Sequence, residues 1–136
     1  MTAALPPEIR AFLEAMKVPG VLATIGRKGG PVASSVWFAL EGDTIIVSTP
    51  VDRTKARNAR ADSRVSFLVD TRERPYSGVA IEGEAEVVED PEGLLGLAIA
   101  QRYLGDDLPE RITAREPGSR AIIRIRPLRV RPWNLA

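Results

Sequence analysis

Ser48-Thr49-Pro50-Val51-Asp52-Arg53-Thr54-Lys55-Ala56-Arg57-Asn58-Ala59-Arg60-Ala61-Asp62-Ser63-Arg64 separates two apolar, β-branched runs, Thr44 to Val47 and Val65 to Val69. It holds good helix formers behind a candidate N-cap, Asp52. The pattern therefore reads strand, short helix, strand. A helix begun after Asp52 carries Arg53 and Lys55 in its first turn. The amino end of a helix is partially positive and favours acids by about 0.3–1 kcal/mol. Two cations in that place point to an anion held between them and the free backbone N–H groups. On helical spacing Arg53, Arg57, Arg60 and Arg64 recur at i, i+4, i+7 and i+11 and form one stripe. Lys55 lies on the other side, and the small Ala56 and Ala59 let the helix press close to what it covers. Five cations face only Asp52 and Asp62 in this segment. The same pattern also fits a solvated helix face with ordinary Arg–Asp pairing.

Outward from this segment the chain reads as strands with a few helices. Pro6 and Pro7 open a helix over Pro7–Met16, since a first turn does not need the proline N–H. Ile9, Phe12, Leu13 and Met16 give it one apolar face, and Pro19-Gly20 ends it. Val21–Ile25, Pro31–Leu40 and Thr44–Ser48 read as a three-stranded meander with turns at Gly26–Gly30 and Glu41–Asp43. Both faces of Pro31–Leu40 are largely apolar, apart from Ser34 and Ser35, as in a barrel strand covered on both sides. The serine hydroxyls have a plainer use, bonding to neighbouring backbone or water. Arg64–Asp70 is the fourth strand, Thr71–Ser77 a polar loop and Gly78–Val88 the fifth strand. In the last of these Ile81, Gly83, Ala85 and Val87 alternate with Glu82, Glu84 and Glu86, one buried face and one wet. Asp90 caps a helix running to Tyr103, a second short helix spans Leu108–Ala114, and Ala121–Val130 closes the set, bent at Pro127. Six or so strands with short helices describe one small β-barrel with flanking helices, a single domain over 1–136.

Composition narrows the chemistry. The chain has 136 residues and a net charge of +1, so a preference for anions must come from local clustering. Lysines are confined to Lys17, Lys28 and Lys55, and every other base is arginine, the better bidentate partner for phosphate and carboxylate. Genomic base composition would produce the same bias. There is no Cys and no His. That removes disulfides, thiolate nucleophiles, Ser-His-Asp hydrolysis and Cys- or His-ligated metal sites. Chemistry must then use a bound cofactor, or carboxylates, Lys, Tyr and Arg. The N-terminus lacks a long apolar segment, and Leu94–Ala100 is far short of a membrane span, so the expectation is a soluble cytoplasmic protein that meets no membrane. The anion could be a cofactor phosphate, a nucleic-acid phosphate or an acidic ligand. A stacked nucleic-acid binder interleaves aromatics with its cations, and none lies inside the basic segment. A cofactor phosphate is the better reading, with no nucleic acid as partner.

The order helix, Leu22-Ala23-Thr24-Ile25, Gly-Gly turn, Val36-Trp37-Phe38, Ile45-Ile46-Val47-Ser48-Thr49, Arg53-x-Lys55-x-Arg57-Asn58 and Asp62-Ser63-Arg64-Val65-Ser66 has a counterpart. It resembles the split β-barrel family of pyridoxamine-phosphate-oxidase-like flavin and deazaflavin oxidoreductases, most closely the branch that uses coenzyme F420. The resemblance spans Pro7 to Trp133. It implies a mainly β fold with flanking helices, a six-stranded antiparallel split β-barrel of the FMN-binding type, and an obligate homodimer with two cofactor sites at its interface. Arg53 and Lys55 would hold the cofactor phosphate, and Ser48, Thr49 and Pro50 would line the ring and ribityl side. Ser34, Ser35 and Val36 would lie against the tricycle, with Trp37 close by. Asn58 would fix the loop or a polar group of the tail. Tyr76, Ser77 and Gly78 would reach in from the other subunit. Arg57 and Arg60 would meet a glutamate tail if the cofactor is F420. The chain departs from many relatives at Ala59, usually Leu, at Ser63, usually Pro, and at Tyr76, where close relatives tend to have Trp. The implied activity is hydride transfer from reduced F420 to an unsaturated or conjugated small molecule. The alternatives are an FMN-dependent oxidase or reductase of the same fold and a non-catalytic flavin or F420 carrier dimer. Trp133 would pack at the dimer interface or cap the core.

Overall fold

A computed structural model describes residues 4–135. Helix α1 (Pro7–Ala15) is followed by β1 (Gly20–Ile25), β2 (Pro31–Val36), β3 (Ala39–Glu41) and β4 (Thr44–Pro50). Helix α2 (Thr54–Ala61), β5 (Arg64–Asp70), β6 (Gly78–Glu89), α3 (Leu94–Leu104), α4 (Glu110–Thr113) and β7 (Arg120–Trp133) complete the chain. All strand pairs are antiparallel, in one seven-stranded sheet ordered β2-β1-β5-β6-β7-β4-β3. No helix among the described residues is long and apolar enough to cross a membrane.

The expected six strands and the expected meander are both corrected by one feature. Pro31–Leu40 is not one strand. Its first half pairs with β1 at one edge of the sheet, and its second half pairs with β4 at the other. The break falls at Trp37-Phe38, whose backbone leaves the ladder and finds other partners. The Phe38 N–H donates to the Tyr103 hydroxyl (3.2 Å), and the Phe38 carbonyl accepts from the Arg102 guanidinium (3.2 Å). Buried backbone groups need such partners, and here α3 supplies them. Three peptide units join the two edges, so these lie within about 10 Å of each other at this point. The sheet must therefore curl, although it does not close.

Inside the curl lies the main core, with Leu13, Leu22, Phe38, Ile45, Val47, Phe67, Ile81, Ile123 and Ile125 almost wholly buried. Phe38 meets Phe67 edge-to-face at 5.3 Å. On the outside, Ile46, Ile122 and Ile99 form a second cluster under α3, with Trp37 packed against it. Alternate residues of β4 thus serve two cores, which explains its unbroken apolar run. Ala56 and Ala59 of α2 are buried against the sheet as their size requires, and Asn58 Nδ2 donates to Thr24 Oγ1 (3.1 Å) beneath it. The acid face of β6 is paired across the strand: Glu84 with Arg126 (2.9 Å) and Glu82 with Arg131 (3.4 Å).

Three element boundaries differ from expectation. Helix α2 begins one residue later than an Asp52 cap implies: Arg53 is its N-cap, with extended backbone and no side-chain cap. Arg53 therefore stands before the helix and Arg64 after it, on β5, so the four-arginine stripe does not exist. Helix α3 also begins late, behind Gly93 in the left-handed region (φ 71°). Asp90 caps it all the same, accepting from the N–H groups of Leu95 (3.3 Å) and Gly96 (2.9 Å). Finally, β7 continues past Pro127, with a bulge at Leu128 where Glu82 faces Arg129 and Gly83 faces Pro127. Trp133 at its far end is exposed, its indole lying over Gly78, where a side chain would collide with it.

Helix α1 is held at both ends. Arg10 pairs with Asp43 in the β3–β4 turn. Arg102 of α3 donates to the carbonyls of Leu13 (2.8 Å), Glu14 (3.2 Å) and Met16 (2.9 Å), a cationic cap on the helix C-terminus. Its guanidinium also lies 4.8 Å from the Phe38 ring centre. Arg102→Met keeps the stem and removes these bonds. It should cost about 2 kcal/mol and lower Tm by several degrees in a thermal melt. An unchanged Tm would show that water serves these carbonyls equally well.

Candidate functional site

A cleft of about 330 Å³ opens where β2, β4, α2 and α3 converge. Each wall follows from local chemistry. Pro50 ends β4, and the Arg53 N–H closes a turn onto the Pro50 carbonyl (3.2 Å). That turn sets Arg53 and Lys55 at the cleft mouth. The end of β2 contributes Ser35, Val36 and Trp37. Trp37 is fixed by stacking on Tyr103, with ring centres 4.9 Å apart and planes 8° from parallel. Helix α3 contributes Gly96, Ile99 and Ala100, and the C-terminal segment contributes Arg115 and Arg120.

The cleft is thus apolar and aromatic at one end and cationic at the other. Among the described residues, none of Arg53, Lys55, Arg115 and Arg120 has a carboxylate within ion-pairing distance. Asp90 is close enough for its charge to support Arg120 in part, but its oxygens accept from the N-terminus of α3 and make no ion pair in the cleft. Arg120 donates instead to the neutral Ser48 hydroxyl, from Nη2 (3.0 Å) and Nε (3.3 Å). Burial, then the charges of Arg115 and Arg53, pull its pKa down to about 10. Lys55 is lowered by burial and by the charges of Arg53 and Arg120. Arg115 is lowered by burial and by Arg111. Four cations that repel one another, unneutralised in a half-buried cleft, are a receptor for negative charge. Elsewhere the contrast is plain: Arg64 clasps Asp62 through two bonds (3.0 and 2.6 Å) and holds that carboxyl at about 2.

Of the residues singled out in the sequence, the fold gathers Ser35, Val36, Trp37, Ser48, Pro50, Arg53 and Lys55 in this cleft. Ser34 sits beside them on β2, opposite Leu22, and does not line it. Thr49 is buried behind the wall, its hydroxyl donating to the Pro50 carbonyl (3.1 Å). Arg57 and Asn58 line a different, wider groove between α2 and the β1–β2 turn, with Arg27 and Lys28. Arg60 braces the Val51 carbonyl (2.7 Å). Tyr76 and Ser77 lie on the β5–β6 loop and Gly78 opens β6, all outside the cleft of their own chain. Gly96, Arg115 and Arg120 were not foreseen. An isolated glycine within the apolar Leu94–Ala100 run was the one visible signal. A Cβ at position 96 would fall 2.8 Å from Ser48 Oγ, 3.4 Å from Asp90 Oδ2 and 3.5 Å from Arg115 Nη1. Glycine is what lets α3 approach β4 here.

Over residues 5–134 the sequence matches the family described as pyridoxamine 5'-phosphate oxidase. The chain belongs to that family. Among solved structures, a conserved hypothetical protein from Mycobacterium tuberculosis is 34% identical, with a TM-score of 0.80 over 97% of this chain and 86% of the other. An F420 reductase is 30% identical, with a TM-score of 0.78 over 93% of this chain and 98% of the other. A putative pyridoxamine 5'-phosphate oxidase from Listeria innocua, 23% identical, shares the fold with a TM-score of 0.73, over 93% of this chain and 96% of the other. No curated protein matches the chain. The donor set in the family's fold here suits a phosphate-bearing ligand with a flat apolar part.

The charge in the cleft has a measurable signature. Lys55 and Arg120 release protons more readily folded than unfolded. The unfolded chain therefore holds more protons between the two pKa values, and stability rises with pH there. For Arg120 that window begins at about 10, so the repulsion is fully present at neutral pH. An anion relieves it. Phosphate or sulfate should raise Tm by a few degrees over chloride at equal ionic strength, by scanning fluorimetry at pH 7. Lys55→Met should raise Tm in chloride and shrink the phosphate effect. A variant less stable than wild type in chloride would refute the repulsion.

Proposed function

We propose that the protein is an oxidoreductase that binds coenzyme F420 and transfers a hydride from its reduced form to an unsaturated or conjugated small molecule. One observation carries this reading: four unneutralised cations and an aromatic wall share a single cleft in a chain that resembles an F420 reductase. Arg53 and Lys55, at the start of α2, would hold the cofactor phosphate. Ser48 would help through its hydroxyl, already oriented by Arg120. Ser35, Val36 and Trp37 would face the tricycle, with Ile99 and Ala100 excluding water beside them. The cofactor, when bound, supplies the hydride. The chain's own work is to bind, orient and keep the ring dry.

A homodimer is part of the proposal. Strand β2 is an edge whose residues Pro31, Val32 and Ala33 are exposed, and an uncovered apolar edge favours pairing with a second copy. Tyr76 and Ser77, with Gly78 at the start of β6, would then act on the partner's cleft rather than their own. Light scattering should give the mass of two chains, and a monomer at micromolar concentration would end this part of the reading.

Cofactor choice is tested by titrating purified protein with F420 and with FMN, followed by fluorescence. F420 should bind more tightly. Arg53→Ala and Lys55→Ala should each weaken it by about ten-fold or more, the size of a lost charge-assisted hydrogen bond. Preferential FMN binding would replace the reading by a flavin enzyme of the same fold. Tight F420 binding without turnover of any enone or quinone would indicate a carrier. Unchanged affinity in both variants would remove the phosphate assignment.

A further inference from the structure

The cations of the cleft come from two parts of the chain. Arg53 and Lys55 belong to the start of α2. Arg115 follows α4 and Arg120 opens β7, and both lie around Gly96 and Ser48. A phosphodiester carries one negative charge, which cannot neutralise four cations. Asp90 offsets part of the charge on Arg120, but its oxygens accept from the Leu95 and Gly96 N–H groups and pair with neither arginine. Arg120 rests on a neutral hydroxyl, and Arg115 makes no hydrogen bond to any described residue, although its Nη1 lies 3.5 Å from where a Cβ of residue 96 would be. The absence of that Cβ keeps the space between Arg115 and Ser48 open. Such a pair, half-buried and mutually repelling, is stable only at a cost that a ligand can offset.

We propose that Arg115 and Arg120, on either side of Gly96 and Ser48, form a second anion subsite. It takes a further negatively charged group, carboxylate or phosphate, of the same ligand whose phosphate lies on Arg53 and Lys55. This deepens the cofactor reading and rests on it: the glutamate tail of F420 carries carboxylates beyond its phosphate, whereas FMN ends at its phosphate. It also moves the tail contact away from Arg57 and Arg60, which lie outside this cleft.

The test uses small anions first, then the cofactors. Thermal unfolding of the wild-type protein is followed with inorganic phosphate and with pyrophosphate at equal ionic strength. Pyrophosphate should protect more. Arg115→Gln, which removes no described hydrogen bond, and Arg115→Gln/Arg120→Gln should reduce pyrophosphate protection to the phosphate level and leave phosphate protection in place. If the variants weaken both anions equally, or neither, the second subsite is refuted. In the second arm the variants should bind F420 about ten-fold more weakly and FMN within about two-fold of wild type. Equal losses for both cofactors would merge the two arginines into the first phosphate site and overturn the proposal. If pyrophosphate discriminates but wild-type protein does not bind F420, the subsite stands and the cofactor reading falls.

Discussion

Three peptide bonds, from Val36 to Ala39, carry the chain from one edge of the sheet to the other. Everything else is arranged around that crossing. Because the edges are joined covalently at this point, the sheet curls and the core lies within it. The crossing has no ladder of its own. Tyr103 and Arg102 of α3 satisfy its N–H and carbonyl, and the same two residues stack on Trp37 and cover Phe38. The Tyr103 hydroxyl also donates to the Val18 carbonyl (3.1 Å), and Arg102 caps α1. One helix turn therefore holds the crossing, the first helix and the aromatic wall of the cleft. Burial raises the pKa of the Tyr103 hydroxyl, so it remains a neutral donor and acceptor in this role.

The distribution of charge separates structural arginines from available ones. On the outer face of β6 and β7 arginines meet glutamates across the strand, as antiparallel neighbours do. Pairs this exposed add little stability. In the cleft the arrangement is opposite: cations gather without ion pairs among the described residues, and Asp90 beside them accepts from the start of α3. Cations pressed together with lowered pKa values raise the free energy of the empty protein. A ligand that supplied negative charge would relieve that cost, and the amino end of α2 adds its own partial positive charge to the cleft.

Much of the fold was legible before the structure. Helix α1, β5, the Thr71–Ser77 loop and β6 fall within a residue or so of where proline, alternation and turn chemistry place them. The errors have two causes, long-range strand pairing and turns that delay helix starts. Pro31–Leu40 reads as one strand because both halves are extended and apolar, and pattern within a segment cannot say with which neighbour each half pairs. The arginine stripe failed because Asp52 looks like a cap, whereas the Pro50–Arg53 turn delays the helix. Asp90 caps as expected, but from across a Gly93 turn that local propensity does not reveal.

The sequence by itself determined most of the elements, the removal of Cys and His chemistry, and the cation-rich start of α2. Those depend on spacing, caps and residue type, all local quantities. Only the tertiary structure decided which cations share a cleft. Arg115 and Arg120 lie some 60 residues beyond Arg53 and carry no pattern that sets them apart from the paired arginines of β7. The register of Pro50 against Arg120, and the close approach that Gly96 allows, bring them to Ser48. Strand pairing and helix packing are long-range contacts, set by how the whole apolar set buries itself, so the composition of the site is a property of the fold.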